Sequence, residues 1–161
     1  MILVVDQSTN KSGYAVIDEN ESIITYGLID LSKMPKHNDF DQTKKRNILI
    51  SQINKLVNEY KIYQIITEGV YMHKNVDTHK KLSKMQGSLE DYCLQNDIVC
   101  FSFANAGEWR KAIGVKAQKR DEYKLETKKY VLSNYTIENN LEDDIYDAIG
   151  MASAYFIMVK E

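Results

Sequence analysis

The opening of the chain constrains the fold most, because its first 31 residues hold three short apolar runs joined by short polar links. The runs cover residues 2–5, 14–17 and 23–31, and polar turn-forming residues separate them. Strands joined by such short links pair antiparallel. The chain is therefore predicted to begin with three consecutive antiparallel strands.

The rest of the chain alternates helical periodicity with short apolar runs. Apolar residues recur at helical spacing over 43–60, 77–95, 121–132 and 142–159, with a short helix predicted at 108–113 and a basic loop at 117–119. Apolar runs at 62–67 and 98–103 are predicted to be buried strands, the first parallel to the opening strand because a helix joins them. The prediction is an α/β fold, a mixed five-stranded sheet with helices on both faces, built as a single domain over residues 1–161.

Charge is distributed unevenly along the chain. A net charge of -2 and a pI near 6.0 argue against a nucleic-acid partner. Basic residues nevertheless outnumber acidic ones between 110 and 129, whereas residues 138–147 include several acidic residues and no basic residue. This asymmetry is typical of an acidic metal site beside a phosphate-binding surface, although solvated helix faces explain each cluster equally well.

Two further features concern the compartment. The apolar runs are short and the start lacks a basic leader, so neither export nor membrane insertion is expected and the protein is predicted to be cytoplasmic. Cys93 and Cys100 form no metal-type pair and are predicted to be small, reduced, buried residues.

Four carboxylates occupy places where a mixed sheet gathers side chains. Asp6 and Glu68 each end a predicted strand, and Asp144 and Asp147 lie one turn apart near a helix start. Hard oxygen ligands suit Mg²⁺ or Mn²⁺, and four of them are enough for two ions. Each acid alone has an ordinary interpretation as a turn residue, an exposed residue or a helix-dipole partner. Their joint pattern predicts a two-metal phosphodiesterase site.

Three segments resemble the motifs of the RuvC family of Holliday junction resolvases, which have the RNase H-like fold. The first reads VDQST at 5–9 followed by SGYAVI at 12–17. The second reads EGVYMHKNVD at 68–77 and extends to Leu82 and Gly87, and it is the most specific. The third reads DIYDAI at 144–149, so the likeness covers most of the chain in the family's order.

The resemblance implies roles for individual residues. It makes Asp6, Glu68, Asp144 and Asp147 ligands of two Mg²⁺ ions, with Mn²⁺ able to substitute, and it leaves open whether Asp143 replaces Asp144. It places Lys124 as the cation that stabilises charge on the transferring phosphate. It assigns DNA contacts to an aromatic residue that stacks on a base and to basic residues, which are Tyr71, Lys74, Arg110, Lys111, Lys116, Lys119 and Arg120.

The resemblance also implies substrate and assembly. The expected enzyme is a homodimer that nicks a four-way DNA junction symmetrically, leaving 5′-phosphate and 3′-hydroxyl ends. Its predicted interface is the apolar side of the helix after Asp77, formed by Leu82, Met85 and Leu89. A helicase partner and the preferred cleavage sequence are not indicated.

Several alternatives stay open at the level of sequence. The turn after Asp6 reads QST where the family commonly has proline and glycine, which leaves junction selectivity open and suggests a diverged, phage-borne member. A less selective branched-DNA or flap endonuclease fits the same acids, as does a DNA-binding module without catalysis. The DQST segment also resembles the first phosphate motif of sugar kinases and actin-like ATPases, but those proteins need two such domains and this chain has length for one.

Overall fold

A five-stranded mixed sheet forms the centre of the molecule, in the strand order β3-β2-β1-β4-β5. The computed structural model describes residues 1–71 and 75–160. The strands are β1 (Ile2–Asp6), β2 (Lys11–Ile17), β3 (Ile23–Asp30), β4 (Gln64–Glu68) and β5 (Val99–Phe103). The helices are α1 (Asp39–Tyr60), α2 (Val76–Gln95), α3 (Ala106–Ala112), α4 (Arg120–Asn134) and α5 (Asp143–Lys160).

The pairing follows the predicted pattern of short and long connections. β1 pairs antiparallel with β2, and β2 pairs antiparallel with β3. β4 pairs parallel with β1 because α1 crosses over between them, and β5 pairs parallel with β4 after α2. The predicted α/β architecture with helices on both faces is confirmed.

Both faces of the sheet are buried, and the alternation along β1 shows how. Leu3 and Val5 belong to the core beneath α1 and α2, whereas Ile2 and Val4 belong to the core beneath α3 and α5. Successive strand residues point to opposite faces, so a strand covered on both sides is apolar throughout. A third cluster joins α4 and α5 to β2 through Val131, Ile149 and Ala15. Among the described residues, none of the helices is long and apolar enough to cross a membrane.

Three predictions about burial are wrong. The run at 98–103 is not a buried strand, because β5 lies at the sheet edge with Val99 59% exposed, and Cys100 is exposed while Cys93 is buried. The predicted dimer face of α2 is also wrong for two of its three residues, because Met85 and Leu89 are 3% and 1% exposed and pack in the protein's own core, whereas Leu82 is partly exposed. Helical spacing alone does not distinguish a face that meets a partner from one that meets the sheet.

Candidate active site

The sheet brings the first two carboxylates to the same edge. Asp6 ends β1 and Glu68 ends β4, and the two strands are parallel neighbours. The carboxyl ends of parallel strands meet at one edge of a sheet, where side chains can face a common crevice. The Gln7 side chain ties the two strand ends together, because its Nε2 donates to the main-chain oxygen of Glu68 at 3.2 Å.

The last helix brings the other two carboxylates to Asp6. Gly13 lies opposite Asp6 in the β1–β2 register, and a Cβ atom on Gly13 would lie 1.9 Å from the carbonyl oxygen of Asp144. Only a residue without a side chain lets the start of α5 approach β2 so closely. Asp144 and Asp147 are three residues apart on α5, so both carboxylates are on the same side of the helix.

The four carboxylates interact electrostatically. Burial and the charges of Asp147, Glu68 and Asp144 raise the pKa of Asp6 well above its usual value. Burial is also the main cause that raises the pKa of Glu68 and of Asp144. Asp147 is 8% exposed, and burial raises its pKa to about 6 despite the opposing charge of Arg110. When ionised, the four carboxylates therefore carry more negative charge than the neighbouring cations offset.

Helix α3 supplies direct partners for two of the carboxylates from consecutive residues. The indole Nε1–H of Trp109 donates to Glu68 Oε2 at 2.8 Å, and Arg110 Nη2 donates to Asp147 Oδ2 at 3.1 Å. Trp109 is fully buried, and the Arg110 guanidinium stacks on its ring at 4.5 Å and lies 5.4 Å from the ring of Tyr123. These contacts fix the orientation of the carboxylates, because Trp109 cannot turn within the core.

A second cation reaches the site from α4. Lys124 Nζ donates to Asp143 Oδ2 at 2.9 Å, and this bond raises the pKa of the lysine above its usual value. Asp144 and Asp147 also act on Lys124 electrostatically, so the lysine lies beside the acidic group. Asp143 itself is exposed and bound to Lys124. Asp144, and not Asp143, therefore belongs to the group of carboxylates around Asp6.

The donor set suits a hard divalent cation in its chemistry. All four groups offer carboxylate oxygens, the ligands that Mg²⁺ and Mn²⁺ prefer, and a cation would offset the repulsion that raises their pKa values. As placed, no three His, Cys, Asp or Glu side chains of the described residues are close enough to hold an ion. Trp109 bonds to Glu68 and Arg110 bonds to Asp147, so each of these two carboxylates is held by its own partner.

The residues predicted to contact DNA fall into three groups. Tyr71, between β4 and α2, is 73% exposed. Exposed basic residues surround the turn between α3 and α4, namely Lys111, Lys116, Lys119 and Arg120. Arg110 differs from these because its side chain is only 16% exposed and is bound to Asp147. Lys74 is outside the described residues.

Sequence reasoning missed two residues that shape this site. Trp109 was not singled out, although it is the only tryptophan and directly precedes a predicted site residue, Arg110. Gly13 was noted as part of a motif, but its close approach to Asp144 was not predicted. Both roles depend on distances between elements far apart in the chain, which periodicity does not report.

A family model and individual relatives that match this chain carry the same description. The family model described as crossover junction endodeoxyribonuclease RuvC matches residues 2–155. A protein of that description from Baumannia cicadellinicola is 24% identical over 94% of this chain and 84% of its own length. Another, from Chlamydia felis, is 27% identical over 94% of this chain and 89% of its own length.

Solved structures share the fold. The structure described as Thermus thermophilus RuvC in complex with Holliday junction substrate superimposes with a TM-score of 0.73 at 8% identity, covering 99% of this chain and 96% of that one. The yeast mitochondrial Holliday junction resolvase superimposes with a TM-score of 0.60 at 14% identity, covering 97% of this chain and 77% of its own. At these identities the structural likeness establishes the architecture alone.

Proposed function

Because the chain belongs to the RuvC family of crossover junction endodeoxyribonucleases, we propose that it resolves four-way DNA junctions by paired, symmetric phosphodiester cuts. The observation that carries the proposal is the gathering of Asp6, Glu68, Asp144 and Asp147, the four acids that the motif resemblance assigned as ligands, at one edge of the sheet. Three of these acids raise the pKa of the fourth, Asp6, which supports a shared site for positive charge. Hydrolysis leaves 5′-phosphate and 3′-hydroxyl ends.

We propose that these four carboxylates, Asp6 at their centre, would hold Mg²⁺, with Mn²⁺ able to substitute. A pair of such ions would supply water activation and stabilisation of the leaving oxygen. Trp109 is proposed to keep Glu68 in one orientation, since its N–H occupies one carboxylate oxygen and leaves the other free for a cation.

Two cations of the chain itself flank the carboxylates. Lys124 is proposed to stabilise negative charge on the transferring phosphate, because it lies beside Asp144 and Asp147 on a flexible stem. Arg110 limits repulsion around Asp147, and its Nε has no hydrogen-bond partner among the described residues. That buried donor supports a second role for Arg110 in meeting a phosphate oxygen of DNA.

The substrate surface is proposed to include both groups of exposed residues. Exposed Lys111, Lys116, Lys119 and Arg120 would neutralise backbone phosphates. Exposed Tyr71 would stack on a base at the junction crossover, a sequence-tolerant contact of about 1 to 3 kcal/mol. Lys74 completes the predicted set of contacts.

Two coordinated cuts need two sites, so we propose that the protein acts as a homodimer. The interface cannot consist of Met85 and Leu89, which are buried in the core of the chain itself. Exposed apolar residues remain at both ends of α2, with Val76 64% and Leu94 79% exposed. Light scattering at working concentration tests the assembly, and a monomer that cleaves both strands would contradict it.

The test of function compares substrates and one matched variant. We expect Mg²⁺-dependent cleavage of a four-way junction that exceeds cleavage of a three-way fork and of linear duplex, with EDTA stopping the reaction. Asp6→Asn keeps the shape of the side chain but removes the charge that faces the other three acids. Cleavage by this variant at the parent rate would refute the proposed site, and equal rates on all three DNAs would indicate a less selective nuclease.

A further inference from the structure

A polar cavity lies between the β1–β2 turn and the starts of α1 and α2. Its volume is about 160 Å³, and its walls include Thr9, Asn10, Lys36, Lys45, Thr78 and Lys81. The lining residues bring three lysines together without a carboxylate. A space of this size holds one tetrahedral anion or a few waters, at about 30 Å³ for each water.

Lys45 is the unusual member of the cavity wall. It is 1% exposed, and its Nζ donates to Asn10 Oδ1 at 2.9 Å. No carboxylate among the described residues forms an ion pair with it. Burial and the charges of Lys36 and Lys81 lower its pKa, with only Asp30 opposing them. A buried ammonium without a counter-charge is costly, and an anion in the cavity would offset that cost.

The cavity lies at the same end of the sheet as the carboxylate group. Thr9 and Asn10 follow Asp6 within the same turn, and α2 begins at Val76, shortly after Glu68. Lysine binds phosphate as a point charge, and the hydroxyl and amide side chains of the lining add hydrogen-bond donors. Lys81 pairs with Asp77 in an exposed contact one helical turn apart, which is weak enough for the lysine to turn toward a ligand.

We propose that this cavity binds a phosphate oxyanion, and that its ligand is a backbone phosphodiester of the DNA strand next to the cleavage site. The inference rests on the proposed function for the DNA source of the phosphate, whereas the oxyanion site stands on the cavity itself. Lys45 is then a strand-positioning residue, which acts on the reaction by holding the DNA backbone.

The DNA arm of the test uses Lys45→Met with Lys44→Met as its matched control, both in the Asp6→Asn background. Lys44 is the adjacent lysine, but it is exposed and lies over the Phe40 ring at 4.5 Å. We expect Lys45→Met to weaken binding of a labelled four-way junction about tenfold at 100 mM KCl and to reduce the salt slope by about one. Lys44→Met should cause a much smaller change, because an exposed lysine away from the cavity makes no such contact.

The phosphate arm needs no DNA. Inorganic phosphate should raise the melting temperature of the parent above that in chloride at equal ionic strength, and Lys45→Met should remove this difference while Lys44→Met keeps it. Without phosphate, Lys45→Met should melt no lower than the parent, because it removes an unpaired buried charge. Should Lys45→Met not fold, Lys81→Met on the exposed wall replaces it in both arms.

The outcomes separate the two claims. Loss of both phosphate protection and junction affinity supports the proposal. If Lys45→Met removes the phosphate protection but leaves junction affinity unchanged, the ligand is free phosphate and the DNA assignment is overturned. A variant that melts far below the parent yet binds phosphate and junction as the parent does makes Lys45 purely structural. If the Asp6→Asn protein with Lys45 intact binds no junction, the proposed function fails. The phosphate arm then still tests whether the cavity binds an oxyanion.

Discussion

Asp147→Asn is expected to stabilise the metal-free protein at pH 7.5 while abolishing cleavage. Asp147 is buried, and its pKa in the folded state is raised from 3.8 to about 6 even though Arg110 donates to it. A carboxyl group with a raised pKa favours the folded state fully below its unfolded value, near pH 4. That contribution is lost as the pH rises through 6, where the buried group ionises.

The size of the effect follows from that pKa. The difference between 3.8 and about 6 corresponds to about 3 kcal/mol at 1.36 kcal/mol for each pKa unit, which is the most that a neutral isostere can recover. Asparagine bonds more weakly to Arg110 than the carboxylate does, but the charge of Arg110 already counts in this pKa. We therefore expect a gain of about 1 to 3 kcal/mol in the free energy of unfolding at pH 7.5.

Urea unfolding in EDTA between pH 4 and 8 measures this gain. The parent should lose stability as the pH rises through 6, and Asp147→Asn should flatten that decline in part, since Asp6, Glu68 and Asp144 also have raised pKa values. Added Mg²⁺ should stabilise the parent more than the variant.

Asp143→Asn is the matched control, because Asp143 is an exposed acid on the same helix turn. It should lower stability slightly by removing the ion pair with Lys124 and a charge at the helix start. The reasoning is refuted if Asp147→Asn is less stable than the parent in EDTA at pH 7.5. That result would mean that the bond with Arg110 outweighs burial and repulsion at Asp147.

Three further changes test the site. Trp109→Phe removes the N–H bond to Glu68, so metal titration should show Mn²⁺ affinity about 10 to 100 times weaker. Unchanged affinity would contradict the role of Trp109 in positioning Glu68. Gly13→Ala forces α5 away from β2, so gel assays should show cleavage reduced about a hundredfold. Gly87→Ala is the control, because its Cβ meets open space, and it should stabilise α2 by about 0.5 to 1 kcal/mol. Lys124→Met should slow cleavage about a hundredfold or more while junction binding in Ca²⁺ changes little. The control is Lys129→Met at an exposed lysine of the same helix, and equal cleavage rates for the two variants would exclude the catalytic role of Lys124.

Parts of the fold followed from local pattern. The three opening strands, the crossover of α1 and the parallel pairing of β4 were predicted because link length and periodicity are local quantities. Helix ends shifted by up to a few residues, as for α1, which begins at Asp39 where residue 43 was expected. Asn38 caps this helix by accepting from the Asp41 N–H. In the first turn the one apolar residue, Phe40, is exposed, so an apolar pattern does not mark the start.

The sequence by itself determined the order of elements and the four acids with their places in it, because strand ends and helical turns are readable from neighbouring residues. Only the tertiary structure decided how the acids are held. The bonds from Trp109 to Glu68 and from Arg110 to Asp147, and the approach of Asp144 to Gly13, join elements that are far apart in the chain. The burial of Lys45, and the loss of Met85 and Leu89 as a free surface, likewise depend on what packs against each helix, which the pattern of one segment does not contain.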